Sequence, residues 1–413
     1  MKKQMIAALC AVSVLGAGMS VCAFAEGNED ISGSLTIWEH SYSFEESLKS
    51  VIEGFSALYP NVEVDYEIKD GDEYYTLLET AIQSGDAPDL FWTNGTATAQ
   101  MANYQANGAL EDLTDIVDFS AISDDAMTLA QIGDSYYSVP WLTMDTRTCY
   151  YNKDMFEENG WEIPTTFSEF EALLATIKDA GIIPISLSDT NWNLLFFFEP
   201  LLAAYDVEYT RGLSDYTSKI DGQPARDCMK LIQDWADAGY YGENWLGVAD
   251  WDAQVLAFTT GNAAMYINGS WDIGTLLENN PDMNYGAFCI PAEDGTCGLV
   301  GTAANGFSVY ADSANLDAAN AFAQYCATLD AQTIWVQSQG AVSASPEIEC
   351  STELATEISA SGQGNIYRSW QNVMASYSST GEATTVWDAD FAKVFSGDLT
   401  VDEFMDELAA EME

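Results

Sequence analysis

Short apolar runs and longer amphipathic runs take turns along most of the chain. Residues 35–38 (LTIW) predict a first strand. Phe44, Leu48, Val51, Ile52, Phe55 and Leu58 then recur at helical spacing, and Pro60-Asn61 stops them. Val62, Val64, Tyr66 and Ile68 alternate with charged residues, which predicts a half-buried strand. Tyr74, Leu77, Leu78, Ala81 and Ile82 mark a second helix face, broken at 85–88 before the short strand 89–92 (DLFW). Further on, Thr166-x-x-Glu169 is a capping box that opens an amphipathic helix, and residues 182–187 (IIPISL) predict the strand after it. Helices are expected at 225–238 and 252–260, and strands at 263–267 and 285–290. Residues 317–338 predict a long helix or a broken one, and Thr400-x-x-Glu403 opens a closing helix. This alternation predicts an α/β fold with mostly parallel sheets. No short repeat and no low-complexity linker interrupts it, so two lobes would be joined by short crossings.

The first 25 residues do not belong to that pattern. A basic start, an apolar run over 5–21 and Ala23-Phe24-Ala25 have the form of a secretory signal peptide. Cys22 offers a second reading as a lipidated anchor, but Val21 and Met19 fit a lipobox poorly, so plain secretion is favoured. No later segment approaches a membrane span.

Charge narrows the functions open to such a chain. It has 413 residues, 65 acids, 13 Lys plus Arg and a net charge of −52. A polyanion of this size repels nucleic acid and anionic membrane surfaces. One His rules out a multi-His metal site within one chain, and any His-assisted nucleophile would depend on His40. The composition is nevertheless that of a folded protein, with 48% hydrophobic and 12% aromatic residues. Six of the eight Cys lie beyond the leader: Cys149, Cys228, Cys289, Cys297, Cys326 and Cys350. Export permits disulfides, and buried thiols are an equal reading. The most local candidate pair is Cys289–Cys297.

Catalytic and metal motifs are absent: there is no phosphate-binding loop, no H-E-x-x-H and no complete EF-hand. The acidic turns 70–73 and 293–295 read as solvated turns. Among 65 acids, carboxylate pairs arise by chance, so they are weak support for a glycosidase.

The 12 Trp are more informative. Trp38, Trp92, Trp141, Trp192 and Trp271 all follow strand-like runs, where α/β folds place ligands. Beside them stand Glu39, His40 and Asn94. An indole face stacks on the C–H face of a sugar ring while amides and carboxylates bond its hydroxyls. Trp161, Trp235 and Trp335 instead look like core residues.

Three ordered motifs then carry a resemblance. Tyr150-Tyr151-Asn152-Lys153-Asp154-Met155-Phe156 is followed by Gly160 and Pro164-Thr165-Thr166-Phe167-Ser168-Glu169. Gly261-x-Ala263-Ala264-Met265 leads into Asn268-Gly269-Ser270-Trp271, and Phe395-Ser396-Gly397 precedes the closing helix. Over residues 34–413 the sequence resembles the family 1 extracellular solute-binding proteins of ABC importers, the maltose-binding-protein-like group. The resemblance implies a hinged, two-lobe periplasmic-binding-protein-like fold with the ligand cleft between lobes. Lobe 1 would comprise 31–142 plus 288–342, and lobe 2 143–287 plus 343–413. Trp271 takes the place of the family's sugar-stacking Trp, and Asp145 that of a cleft carboxylate. Residues 38–42, Trp92, Trp192, Trp251 and Trp387 fall on further cleft segments. Ser41-Tyr42-Ser43 stands where some relatives carry Asp and Lys.

The implied function is capture of a neutral mono- or oligosaccharide and its delivery to a membrane permease. The protein would act as a secreted or lipid-anchored monomer, without catalysis, metal or cofactor. Scarce Lys and Arg argue against anionic ligands. The alternatives are a binder of cationic or chelated solutes and a secreted glycosidase.

Overall fold

A computed structural model describes residues 29–69, 73–97, 99–243, 245–247, 251–377 and 382–412. The leader 1–25, Cys22 and most of the acidic turn 70–73 lie outside them. Twelve strands form among the described residues. They are β1 (Gly33–Glu39), β2 (Val62–Ile68), β3 (Leu90–Trp92), β4 (Gln131–Ile132), β5 (Ser135–Tyr136) and β6 (Met144–Asn152). After these come β7 (Ile183–Ser186), β8 (Ala263–Gly269), β9 (Tyr285–Phe288), β10 (Leu299–Ala303), β11 (Phe307–Val309) and β12 (Ile366–Tyr367).

The first sheet has the order β11-β3-β1-β2. In β1, Leu35 and Ile37 are buried while Ser34 and Thr36 are exposed. The helix Glu45–Leu58 seals that core with Leu48, Val51 and Phe55. The second sheet runs β12-β10-β6-β8-β7, with β9 also on β6. Here the expectation of mostly parallel strands fails: β6 is antiparallel to β8, β9 and β10. The reason for β10 is topological, because the chain enters this half on β6 and leaves it on β10. Pro184 is tolerated in β7 because that strand is an edge.

Local signals account for most element ends. The 317–338 segment is two helices, Leu316–Cys326 and Leu329–Gln339. Thr328 separates them by accepting the Ala331 N–H as a new N-cap. The Thr400 box is complete, with both reciprocal bonds formed. The Thr166 box is half formed: Thr166 accepts from Glu169, but the Glu169 carboxylate turns to the N–H and hydroxyl of Thr165.

The apolar core divides in two. One cluster draws on residues from Leu35 to Leu142 and from Ala303 to Ile348. A second draws on Cys149 to Ile290 and Trp370 to Leu408, and a smaller one joins Tyr150, Tyr266 and Leu299 with Leu354 to Ile358. Phe288 and Ile290 pack with the second half, so the chain reaches the first core at Ala303 rather than at 288. Three crossings lie side by side. Ala304 N donates to Thr143 O (2.9 Å), Met144 N to Val342 O (2.7 Å) and Ala344 N to Leu142 O (2.8 Å).

Candidate functional site

In the first half, the exits of β1 and β3 build one wall. Glu39 ends β1 fully buried, and its Oε1 lies 2.6 Å from His40 Nδ1 and accepts from His40 N at 2.7 Å. Its Oε2 is buried with no partner. The half-buried His40 ring stacks on Trp92, centroids 4.8 Å apart at 18°. Trp92 is 3% exposed and lies on Phe44, so it supports the imidazole rather than offering a face of its own. Its indole N–H donates to Asn94 Oδ1 at 3.2 Å. Tyr75, opening the helix Glu73–Ser84, sets its phenol against Asn94, and burial pushes that phenol up. Trp38 is half-buried, with Lys69 Nζ 4.8 Å from its ring centroid.

The facing wall is built on β6, the helix Asn191–Tyr205 and the turn after β8. Asp145 is half-buried, and burial raises its carboxyl to about 6 against the pull of Arg147 and His40. Arg147 is buried, with Nε 2.6 Å from Glu199 Oε2 and Nη1 3.3 Å from the Asp145 carbonyl. Its guanidinium carbon sits 4.6 Å from the Phe196 ring and 4.9 Å from the Trp271 ring. Glu199 also accepts from Trp370 N at 2.5 Å, so the ion pair is bonded on both sides.

The Asn268-Gly269-Ser270-Trp271 turn has a steric logic. A Cβ on Gly269 would come within 2.2 Å of the Trp271 ring, so only glycine lets the indole lie on the backbone here. Ser270 Oγ accepts from Thr146 N (3.1 Å) and donates to Met144 O (2.7 Å), tying the turn to β6. Asn268 donates to Asn193 (3.2 Å) and Asn193 to Ser188 (2.6 Å), a buried polar relay under the wall. Trp192 and Phe196 share one helix face at 6.4 Å, and Phe196 meets Trp271 edge-on at 4.8 Å. Trp192, Phe196 and Trp271 all remain half-buried.

Glu39, His40, Trp92 and Asn94 are linked along the first wall, and Asp145, Trp192 and Trp271 are linked on the second through Arg147 and Phe196. Three expected residues lie elsewhere. Trp141 is 0% exposed and stacked on Trp335 at 4.3 Å and 3°, inside the first core. Trp387 is also 0% exposed, packed against Phe391, Trp370 and Phe404. Neither has a ring face free for a ligand. Trp251 directs its N–H to Asp272 Oδ2 at 3.5 Å and packs on the small core beside β9. Tyr75, Arg147 and Phe196 were not anticipated. Arg147 carried one signal, the only cation of a strand whose other charged residue is Asp145. Phe196 sits in an almost wholly apolar helix, whose pattern marks no face. Among the described residues no group of three His, Cys, Asp or Glu is placed to hold a metal, and no helix is long and apolar enough to cross a membrane.

Known proteins share the fold. The chain is 25% identical over 332 residues to the multiple sugar-binding protein of Streptococcus mutans, covering 78% of each chain. A chitin oligosaccharide binding protein superposes with a TM-score of 0.76 at 21% identity, over 92% of this chain and 98% of that one. RafE in complex with raffinose superposes with a TM-score of 0.73 at 22% identity, over 92% and 99%. Residues 43–333 match the family model described as bacterial extracellular solute-binding protein. With its two cores, mixed second sheet and aromatic cleft walls, the chain belongs to that family.

Proposed function

We propose that this protein captures a neutral mono- or oligosaccharide outside the cell and delivers it to an ABC permease, without chemical change. The observation that carries the reading is the wall around Asp145. Half-buried indoles at Trp271 and Trp192 offer stacking faces, and the half-buried Asp145 offers an acceptor. The cation within that wall, Arg147, is already committed to Glu199 and to the Asp145 carbonyl. An anionic ligand would find no free guanidinium there, whereas sugar hydroxyls would find donors and acceptors. The sugar-binding relatives support the same reading. The two cores are then the two lobes, joined by the crossings at 142–144, 303–304 and 342–344, and closure brings Trp271 toward His40.

A thermal-shift screen followed by calorimetry tests this. One or more neutral sugars should raise the melting temperature and bind with unit stoichiometry, and the sugar should be recovered intact. A shift only with cationic or chelated solutes would overturn the sugar reading. Released product from a glycoside would overturn the non-catalytic one.

A further inference from the structure

Two cysteines flank the turn that joins β9 to β10. The turn is well built: Ala292 N donates to Thr296 O at 2.8 Å, Thr296 N to Asp294 Oδ1 at 2.9 Å, and Gly295 supplies the left-handed residue at φ 82°. It is anchored from outside as well. Glu293 accepts from the N–H and hydroxyl of Ser168 (3.0 and 2.8 Å), and Asn365 Nδ2 donates to Cys297 O at 2.8 Å. The closed turn brings its two legs together. Cys289 Sγ donates to Gly298 O at 3.4 Å and Cys297 Sγ to Cys289 O at 3.8 Å, so both thiols sit at the neck of the turn, against each other's legs. Both are free.

We propose that Cys289 and Cys297 are a built-in dithiol that closes to an intramolecular disulfide when the chain meets a disulfide-bearing oxidant. The order of attack follows from the surroundings. Cys297 is half-buried, and the neighbouring Cys289 thiol holds its own thiol below the usual range. Cys289 is buried and pushed up by the same contact and by desolvation. The Cys297 thiolate attacks one sulfur of the oxidant R–S–S–R and expels R–S⁻, leaving Cys297–S–S–R. Cys289 then gives up its proton and attacks Cys297 Sγ, expelling the second R–S⁻. Two protein thiols lose two electrons and two protons, and the oxidant becomes two thiols.

The other thiols are placed differently. Cys149, Cys228 and Cys326 are fully buried, and Cys350 is half-buried in the segment before the helix Glu353–Ser361. Cys149 pairs with Phe288 in the sheet register, so it is the nearest competitor for Cys289.

The test uses the folded full chain in oxidised glutathione, with free thiols then alkylated and peptides mapped by mass spectrometry. The expected result is a 289–297 crosslink, a loss of two hydrogen masses, and alkylation of Cys149, Cys228, Cys326 and Cys350 only after denaturation or slowly. In Cys289→Ser, glutathione should accumulate on Cys297; in Cys297→Ser, Cys289 should stay unmodified in the folded protein. The wild-type map decides the matter if either variant misfolds. Free Cys289 and Cys297 after oxidation, or a bond from Cys289 to Cys149 or from Cys297 to Cys350, would overturn the proposal. Sugar affinity should be unchanged between the two redox forms.

Discussion

At the end of β3, in the first half, Trp92 turns inward under His40, and on the first crossing Trp141 lies flat against Trp335. In the second half, the indole of Trp271 stays half-exposed, held from beneath by the Arg147 guanidinium and edge-on by Phe196. Both halves place tryptophan at the same kind of position, just past a strand or at a crossing. What separates them is the support. An indole backed by other aromatic rings joins a core; an indole backed by a buried cation and a glycine backbone keeps an outer face. The first wall therefore offers mainly polar tips, and the second offers the stacking surface.

Four substitutions press on that contrast. The largest effect is expected from Arg147→Ala. It strands Glu199 as a buried, unpaired carboxylate, a loss of about 3–5 kcal/mol. Denaturant melts should show it, and Glu199→Gln in the same background should recover part of it. An Arg147→Ala protein of wild-type stability would remove the ion pair as the support of Trp271. Trp141→Ala should cost about 3–5 kcal/mol in unfolding free energy as a core deletion, with sugar affinity unchanged in the folded fraction. A large loss of affinity at full stability would return Trp141 to the ligand. Trp271→Ala should show the opposite signature, weakening sugar binding by about 1–3 kcal/mol with little change in the melting temperature. Calorimetry and thermal scans on the same sample separate the two.

The smallest effect is a pH dependence at Asp145. Its folded pKa of about 6 lies above the ordinary carboxyl value of 3.8, so burial disfavours the charge. The stability that neutral Asp145 contributes is present at acid pH and is lost as pH rises from about 4 through 6. Sugar binding runs the other way, because the ionised carboxylate is the better acceptor. Affinity should rise severalfold at most, about 1 kcal/mol, across pH 5 to 7. Asp145→Asn should flatten that slope, and a slope that survives the substitution would remove Asp145 as its source.

Much of the fold was legible because it rests on local rules. Helical and alternating spacing placed β1, β2 and the helices around them within a few residues, and Thr400 opens its helix as its capping box predicts. The site was half legible. The Gly269-Ser270-Trp271 turn and the β1 exit stand out because their residue types are unusual for turns of a buried strand. Burial of Trp141 was not legible, since its partner Trp335 comes from a distant helix. Arg147 and Phe196 were missed for a related reason. Their meaning lies in a contact between β6 and the helix Asn191–Tyr205, and that helix, Glu199 and its two asparagines apart, is apolar throughout. Antiparallel pairing of β6 was hidden too, because direction in a sheet depends on where the chain crosses, not on the strand's own composition.

The three adjacent crossings have a consequence for how the molecule is made. The amide of Leu142 is satisfied by the side chain of Gln332, 190 positions later. The first core also closes with Trp335 and Val336 from that late segment. Neither half is a contiguous stretch of chain, so the first one synthesised cannot finish until most of the second exists. Contacts of such long sequence separation are slow to form, because the intervening loop must be ordered before they repay its entropy. Both lobes therefore lock together only once the last third of the chain is present.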